Sequence, residues 1–173
     1  MEIIGEKKMT ILPAIGVIGS GRTISPEQSA LAHEIGAHIA QRKMLLVCGG
    51  LGGIMEAAAK GAHENGGLVV GILPTAVKED ANRYIDIVIP SGLGESRNAL
   101  IVHASDVLIA FPGAFGTLSE MAMAFDLGKS VICLPGVWEL KKAGRMDGAR
   151  LIEAYDARQA VGMALGELAK KGP

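Results

Sequence analysis

Two charged residues, Arg97 and Glu120, are the first candidates for chemistry because each follows an apolar segment and a pair of glycines. Glu120 ends the stretch "FPGAFGTLSE" (111–120). Its carboxylate could act as a general acid or base, hold a ligand, or form the charged first turn of a helix. Arg97 lies in "GLGESRNALI" (92–101). Its guanidinium could bind a phosphate with two hydrogen bonds, neutralise Glu120, or simply lie on the surface.

The segment before Glu120 has the composition of a phosphate-binding turn. Gly113 and Gly116 allow the backbone to turn without a β-carbon. Thr117 would cap the helix that follows, whose free N–H groups and positive dipole end attract an anion. An ordinary strand-to-helix turn has the same composition. On local physics alone, Glu120 would only complete a capping box with Thr117.

Short apolar runs alternate with longer helical patterns along the whole chain. Six of the runs are continuously apolar, which is typical of strands buried on both faces of a parallel sheet. They are "AIGVIG" (14–19), "MLLVC" (44–48), "LVVGIL" (68–73), "IDIVI" (85–89), "DVLIAF" (106–111) and "SVICL" (130–134), and a short seventh strand is expected in "LIEAY" (151–155). The pattern predicts a doubly wound, Rossmann-like α/β fold: a mostly parallel sheet of six or seven strands with helices on both faces.

Capping residues mark the ends of the predicted helices. Ser25, Pro26 and Gln28 give the first helix a capping-box start. Further helices are expected within 53–67, 95–105 and 117–129, and the last begins after Asp156. The segment 136–150 has no clear period, so we expect a loop there.

Glycine-rich loops follow four of the predicted strands. The carboxyl ends of parallel strands share one edge of a sheet, and ligands bind there at the topological switch point. We therefore expect these loops to meet and to hold a phosphorylated ligand. The candidate ligand-binding residues are Gly19, Ser20, Gly21, Gly49, Gly50, Gly53, Asn98, Gly113, Ala114, Gly116 and Thr117, and the candidate catalytic residues are Arg97 and Glu120.

Other functions are disfavoured by the sequence. "GSGRTISPEQ" (19–28) keeps only the G-x-G part of a dinucleotide fingerprint, and no acidic residue follows the second strand, which argues against NAD. The net charge of −1 gives no electrostatic reason to expect nucleic-acid binding. The four histidines lack metal-ligand spacing, so we expect no metal bound directly by side chains.

The remaining composition predicts one cytoplasmic domain over residues 1–173. The length suits a single core, and the apolar runs fall short of the roughly 20 residues of a membrane span. The N-terminus lacks the apolar centre of a signal peptide. Cys48 and Cys133 lie in strand-like runs, where buried structural thiols in a reducing compartment are expected.

With these loops in place, the chain resembles the family once labelled lysine decarboxylase-like. That family includes the LONELY GUY cytokinin riboside 5'-monophosphate phosphoribohydrolases and the molybdenum cofactor carrier proteins. The resemblance covers about residues 13–135 and rests on "IGVIGSG", "CGGLGGIMEAAAKGA", "GGLVVGILP" and "PGAFGTLSE". The last of these corresponds to the family's P-G-G-x-G-T-x-x-E, so Glu120 matches the hydrolases' glutamate, and Arg97 matches their catalytic arginine.

In the hydrolases, the resemblance implies, the arginine and the glutamate flank the N-glycosidic bond of a nucleoside 5'-monophosphate. Gly113, Gly116 and Thr117 would then bind the phosphate. This chain departs from the hydrolase pattern at two positions: Asn98 stands where the hydrolases have lysine, and Ala114 replaces the second motif glycine. If position 114 is left-handed, its β-carbon costs about 1–2 kcal/mol.

The "SRN" form around Arg97 is more similar to the carrier branch of the family. The resemblance therefore implies binding of a nucleotide or of a molybdopterin-type cofactor as cargo, in a homodimer or larger homo-oligomer. Cleavage of a nucleoside monophosphate to release its base, which needs no cofactor, is the alternative. Lysine decarboxylation is disfavoured because no lysine stands in a motif suited to a pyridoxal phosphate aldimine.

Overall fold

The computed structural model of the protein describes residues 12–138 and 150–170. The strands are β1 (Ala14–Ile18), β2 (Leu45–Cys48), β3 (Leu68–Leu73), β4 (Ile87–Pro90), β5 (Val107–Ala110), β6 (Val131–Cys133) and β7 (Leu151–Glu153). The helices are α1 (Pro26–Gln41), α2 (Ile54–Glu64), α3 (Asn98–Ala104), α4 (Phe115–Asp126) and α5 (Ala157–Lys170), and short 3-10 helices span Lys78–Asp80 and Gly94–Arg97.

The seven strands form one sheet in the order β4, β3, β2, β1, β5, β6, β7, and every neighbouring pair is parallel. The Rossmann-like α/β fold predicted from the apolar runs is confirmed. The expectations for the N-terminal segment and for most of the loop 136–150 concern residues 1–11 and 139–149, which lie outside the described residues. In the described ranges, no helix is long and apolar enough to cross a membrane.

The order of the strands creates a switch point between β1 and β5. The chain runs from β1 outward to the edge strand β4, and then returns to β5 on the other side of β1. Since parallel crossovers are right-handed, this reversal places the helices on opposite faces. One core layer is formed with α1, α2 and α5, and the other with α3 and α4. The crevice at such a switch point is where doubly wound folds bind ligands.

The capping signals are accurate for α1 and misleading for α4. Ser25 and Gln28 form the predicted capping box at the start of α1. The prediction that Thr117 caps α4 is wrong, because the N-cap residue is Ala114 and Thr117 is buried inside the first turn. Glu120 therefore lies beyond the first turn, where it cannot complete a capping box with Thr117.

Helices α1 and α2 approach each other closely through two glycines. A β-carbon on Gly61 would lie 1.9 Å from the carbonyl oxygen of His33, and one on Gly36 would lie 2.0 Å from that of Ala58. Backbone atoms cannot yield as a flexible side chain can. This contact therefore holds the helices that follow β1 and β2, and with them the loops that lead into both helices.

We predict that Gly61→Ala lowers the free energy of unfolding by about 1–3 kcal/mol, because the added methyl group overpacks the α1–α2 contact. Gly162→Ala in α5 is the matched control. A β-carbon there meets nothing within 4 Å, so the higher helix propensity of alanine should stabilise the protein by about 0.5–1 kcal/mol. Urea denaturation measures both, and equal effects at the two positions would contradict the close contact.

Candidate functional site

Three strand-to-helix loops and one 3-10 helix meet at the carboxyl edge of the sheet. The Ser20 amide donates to the carbonyl oxygen of Pro112 at 3.3 Å, which ties the loop after β1 to the loop after β5. The amide of Ile54 donates to the Ser20 carbonyl at 3.0 Å and ties in the loop after β2. A β-carbon on Gly49 would lie 2.8 Å from Nη2 of Arg97, so the 3-10 helix reaches the same point.

The N-terminus of α4 is open to an anion. Ala114 is the N-cap residue, and no side chain caps the helix. Its φ of −90° and ψ of −157° are extended, so the left-handed strain considered from the sequence is absent. Gly113 packs against the helix start, since a β-carbon there would lie 2.1 Å from Oγ1 of Thr117. The amides of the first turn are therefore available to a ligand, as in other helix-terminal anion sites.

Arg97 is a buried cation with spare hydrogen-bonding capacity. Only 6% of the residue is exposed. Its Nη1 atom donates to Oδ1 of Asn98 at 2.6 Å and lies 3.6 Å from Oε1 of Glu120. Its Nε atom is buried and has no hydrogen-bond partner among the described residues. An unsatisfied buried donor costs about 1–3 kcal/mol, so an acceptor that reached this nitrogen would stabilise the protein.

Asn98 joins Arg97 to the first turns of α4. Its Nδ2 atom lies 3.3 Å from Oγ of Ser119 and 3.5 Å from the carbonyl oxygen of Gly116. The Ser119 hydroxyl donates in turn to the same carbonyl at 2.7 Å. Only 3% of Asn98 is exposed, and both ends of its amide are engaged within the protein.

Glu120 is a buried carboxylic acid with a raised pKa. Burial raises the pKa of Glu120 from 4.5 to about 7, while the positive charge of Arg97 lowers it and the negative charge of Glu95 raises it further. Desolvation dominates because the guanidinium lies 3.6 Å away, beyond hydrogen-bond distance. A carboxyl group with this pKa exchanges a proton near neutral pH, as general acids and bases must.

Glu95 is a further carboxylate at the site. It is exposed, two residues before Arg97 in the 3-10 helix. Its Oε2 atom would lie 3.4 Å from a β-carbon on Gly116, beside the open start of α4. Its negative charge acts on Glu120, the carboxylate that lies beside Arg97.

The predicted ligand-binding glycines lie at different distances from this centre. Gly49, Gly113 and Gly116 approach Arg97, Thr117 and Asn98. Gly19 packs on Phe111 and Ile54, Gly50 packs on Gly71 and Leu73 of β3, and Gly21 and Gly53 lie near Met55 and Ser20. The Ser20 hydroxyl accepts from the amide of Arg22 at 3.2 Å. The second group thus shapes the loops, and the first group lines the centre.

Sequence reasoning missed three residues that contribute to the site. Glu95 could have been noticed as a charge in the same loop as Arg97, whereas nothing in the local pattern singles out Ser119. Trp138 donates through Nε1 to the carbonyl oxygen of Gly113 at 2.9 Å and stacks on Phe115 with ring centroids 6.0 Å apart. Both rings border the open start of α4, since Phe115 is its first residue.

Comparison with known proteins places this chain in a family. A family model described as the SLOG cluster4 family matches residues 12–163. The chain belongs to this family, within the superfamily that contains the LONELY GUY hydrolases and the molybdenum cofactor carriers. The resemblance read from the glycine motifs is therefore confirmed.

Two relatives illustrate the similarity in sequence. An uncharacterized protein of Archaeoglobus fulgidus is 48% identical over 123 residues, which cover 71% of this chain and 80% of that protein. The cytokinin riboside 5'-monophosphate phosphoribohydrolase of Rhodococcoides fascians is 37% identical over 94 residues, 52% of this chain and 48% of that enzyme. The chain thus spans about half the length of the hydrolases that it matches.

Among solved structures, the molybdenum cofactor binding protein from the phototrophic bacterium Rippkaea orientalis superposes with a TM-score of 0.83 at 33% identity. The match covers 92% of this chain and 99% of that protein. The fold is therefore shared almost from end to end with a cofactor-binding relative.

The raised pKa of Glu120 makes folding stability depend on pH. The folded protein keeps the Glu120 proton up to a pH of about 7, whereas the unfolded chain loses it near 4.5. The folded state therefore binds more protons in this interval, and its stability falls as the pH rises.

We predict that, between about pH 5 and pH 8, the wild type loses on the order of 2–3 kcal/mol of unfolding free energy relative to Glu120→Gln, which cannot ionise. Denaturant titrations of both proteins across this range measure the difference, in which all other titrating groups cancel. A difference that stays constant with pH would show that Glu120 titrates normally.

Proposed function

We propose that the protein binds a phosphorylated, nucleotide-like ligand in the glycine-lined crevice at the carboxyl edge of the sheet. The observation that carries this proposal is the uncapped start of α4 beside the buried Arg97, whose Nε atom has no partner among the described residues. An anion at this point would accept hydrogen bonds from the first-turn amides and neutralise the guanidinium.

The residues around the crevice suit a ligand that is anionic at one end and planar at the other. The phosphate would lie at Gly113, Ala114, Gly116 and Thr117. Phe115 is 78% exposed and stacks on Trp138 at the edge of this turn. Exposed aromatic rings next to an anion site favour a heterocyclic ring by stacking. A nucleoside monophosphate and a molybdopterin-type cofactor both have this combination of groups.

A solved relative suggests one particular form of this ligand. The Rippkaea orientalis protein binds molybdenum cofactor, and we propose the same cargo for this chain because the match covers nearly the whole fold. Here the cofactor is cargo rather than a catalytic group. We further propose that the protein acts in the cytoplasm. We also propose that it forms a homodimer or larger homo-oligomer. Exposed apolar residues, which include Leu93, Leu100 and Phe115, support association between copies of the chain.

Gly113→Ala should weaken binding of AMP at least about tenfold, because the added β-carbon meets Oγ1 of Thr117 and displaces the first turn of α4. Isothermal titration calorimetry with AMP measures the effect, and adenosine shows how much of the affinity depends on the phosphate. Gly162→Ala is the control, since its β-carbon meets no neighbour. Equal affinity for AMP and adenosine in the wild type would contradict a phosphate site.

A second candidate function, hydrolysis of a nucleoside 5'-monophosphate, is favoured by one observation. Glu120 has a pKa of about 7 and lies beside a buried arginine. In this reaction the bond between C1' and the base nitrogen breaks, water oxygen bonds to C1', and a proton passes to the departing base. The Glu120 carboxylate would orient the water and stabilise the positive charge that develops at C1'.

If the protein is a hydrolase, it releases free adenine from AMP, and Glu120→Gln lowers the rate by at least about 100-fold. Separation of adenine from AMP by liquid chromatography measures this, with the calorimetric affinity of the variant for AMP as the control for intact binding. Binding of AMP without release of adenine would leave the carrier function and exclude AMP hydrolysis. Release that survives in Glu120→Gln would place the catalyst elsewhere.

A further inference from the structure

The interactions of Arg97 are distributed unevenly over its guanidinium. Nη1 donates to Asn98 at 2.6 Å, although a carboxylate oxygen of Glu120 lies only 3.6 Å from the same nitrogen. Nε is buried without a partner in the described part of the chain. In a buried ion pair, a direct hydrogen bond between guanidinium and carboxylate is ordinarily the stronger contact. The short hydrogen bond from this nitrogen therefore goes to a neutral amide, and the carboxylate of Glu120 stays beyond hydrogen-bond distance.

Contacts of its Nδ2 atom fix the position of the Asn98 amide. Asn98 is the first residue of α3, and its Nδ2 atom contacts Ser119 and the Gly116 carbonyl in α4. The hydroxyl of Ser119 is itself held by that carbonyl at 2.7 Å. The Asn98 side chain thus bridges two helices. Neither its oxygen nor its nitrogen is free to turn toward Glu120 without losing a contact.

We propose that Asn98 is a positioning residue, which holds Arg97 by Nη1 and thereby keeps the guanidinium from closing onto Glu120. This role replaces the direct ligand contact expected for Asn98 from the sequence. Two consequences follow from the geometry. Glu120 keeps its proton to a higher pH, and Nε of Arg97 stays without an acceptor in the described part of the chain, which an anionic ligand would supply. The second consequence rests on the proposed function, whereas the first does not.

Three titratable groups interact with Glu120 and could change its titration. Arg97 and Glu95 face it from the 3-10 helix, and Cys48 in β2 interacts with both Arg97 and Glu120. Burial raises the pKa of the Cys48 thiol to about 11, so this group stays neutral through the neutral range. Arg97 is therefore the charge whose movement would change the titration of Glu120 most.

The test is a carbon-13 NMR titration of the glutamate carboxyl groups in the ligand-free protein. The Glu120 signal is identified by its absence in Glu120→Gln. In Asn98→Leu, whose side chain has the same number and branching of heavy atoms and no polar atoms, Nη1 loses its acceptor and moves to Glu120. We expect the midpoint of the Glu120 titration to fall by about one pH unit or more, because a close opposite charge favours the ionised carboxylate.

Asn98→Asp is the matched control, since it keeps an acceptor for Nη1 and adds a negative charge. Its Glu120 midpoint should remain at or above that of the wild type. Ser119→Ala removes one contact behind the amide without touching Arg97, and should shift the midpoint downward by less than Asn98→Leu does. Because alanine suits a helix, this variant also serves if Asn98→Leu does not fold.

An unchanged midpoint in every variant that folds would overturn the proposal, as would equal downward shifts in Asn98→Leu and Asn98→Asp. A merely structural asparagine would change the unfolding temperature and leave the midpoint in place. The titration is made without ligand, so its outcome tests the positioning role of Asn98 independently of the proposed function. Failure of the wild type to bind AMP would contradict the proposed function, whereas the NMR titration would still test the positioning of Arg97.

Discussion

The structure of the site depends on one buried positive charge. Arg97 is held between the starts of α3 and α4 with a single side-chain hydrogen bond from Nη1 and a carboxylate at 3.6 Å. Burying a cation is costly unless it is paired and hydrogen-bonded, and this one is only partly satisfied. A group that completed the hydrogen bonding of this cation would therefore stabilise the folded protein. Burial is the largest cause of the raised pKa of Glu120, and the charge of Arg97 at this distance only partly offsets it.

The fold brings these groups together through the reversal of strand order. Arg97 follows the edge strand β4, and Glu120 follows β5, which lies next to β1. The segment from β4 to β5 must therefore return across β3, β2 and β1, and α3 lies on that path. Residues that are distant in the sheet and 23 positions apart in sequence become neighbours at one edge.

The fold, and the carboxyl edge of the sheet as the place where the glycine-rich loops meet, could be predicted from the sequence. Both follow from patterns that many residues share. Continuous apolar runs required parallel strands, and glycines could only collect at their carboxyl ends. The start of α4 was misjudged because Thr117 has a favourable side chain for capping, while Ala114 has the extended backbone that a cap requires. Capping preference is worth about 1 kcal/mol and yields to packing, here of Thr117 against Gly113.

The burial of Arg97 and the bridging role of Asn98 could not be read from the sequence for a different reason. Both depend on contacts between α3 and α4, whose relative placement is set by the sheet rather than by either helix. A local pattern around "SRN" is compatible with an exposed arginine, a ligand-binding asparagine or the observed pair. The partner that distinguishes them, Ser119, lies 21 residues away.

The contact between Trp138 and the Gly113 carbonyl gives the site an optical property. Trp138 is the only tryptophan in the chain, and its indole N–H donates to the backbone of the turn that precedes α4. Indole emission responds to the polarity and hydrogen bonding of its surroundings. Its 42% exposure means that water reaches the ring from one side while Phe115 covers another. The tryptophan fluorescence of the unmodified protein, excited at wavelengths that tyrosine does not absorb, therefore reports on this turn without a label and without background from other indoles.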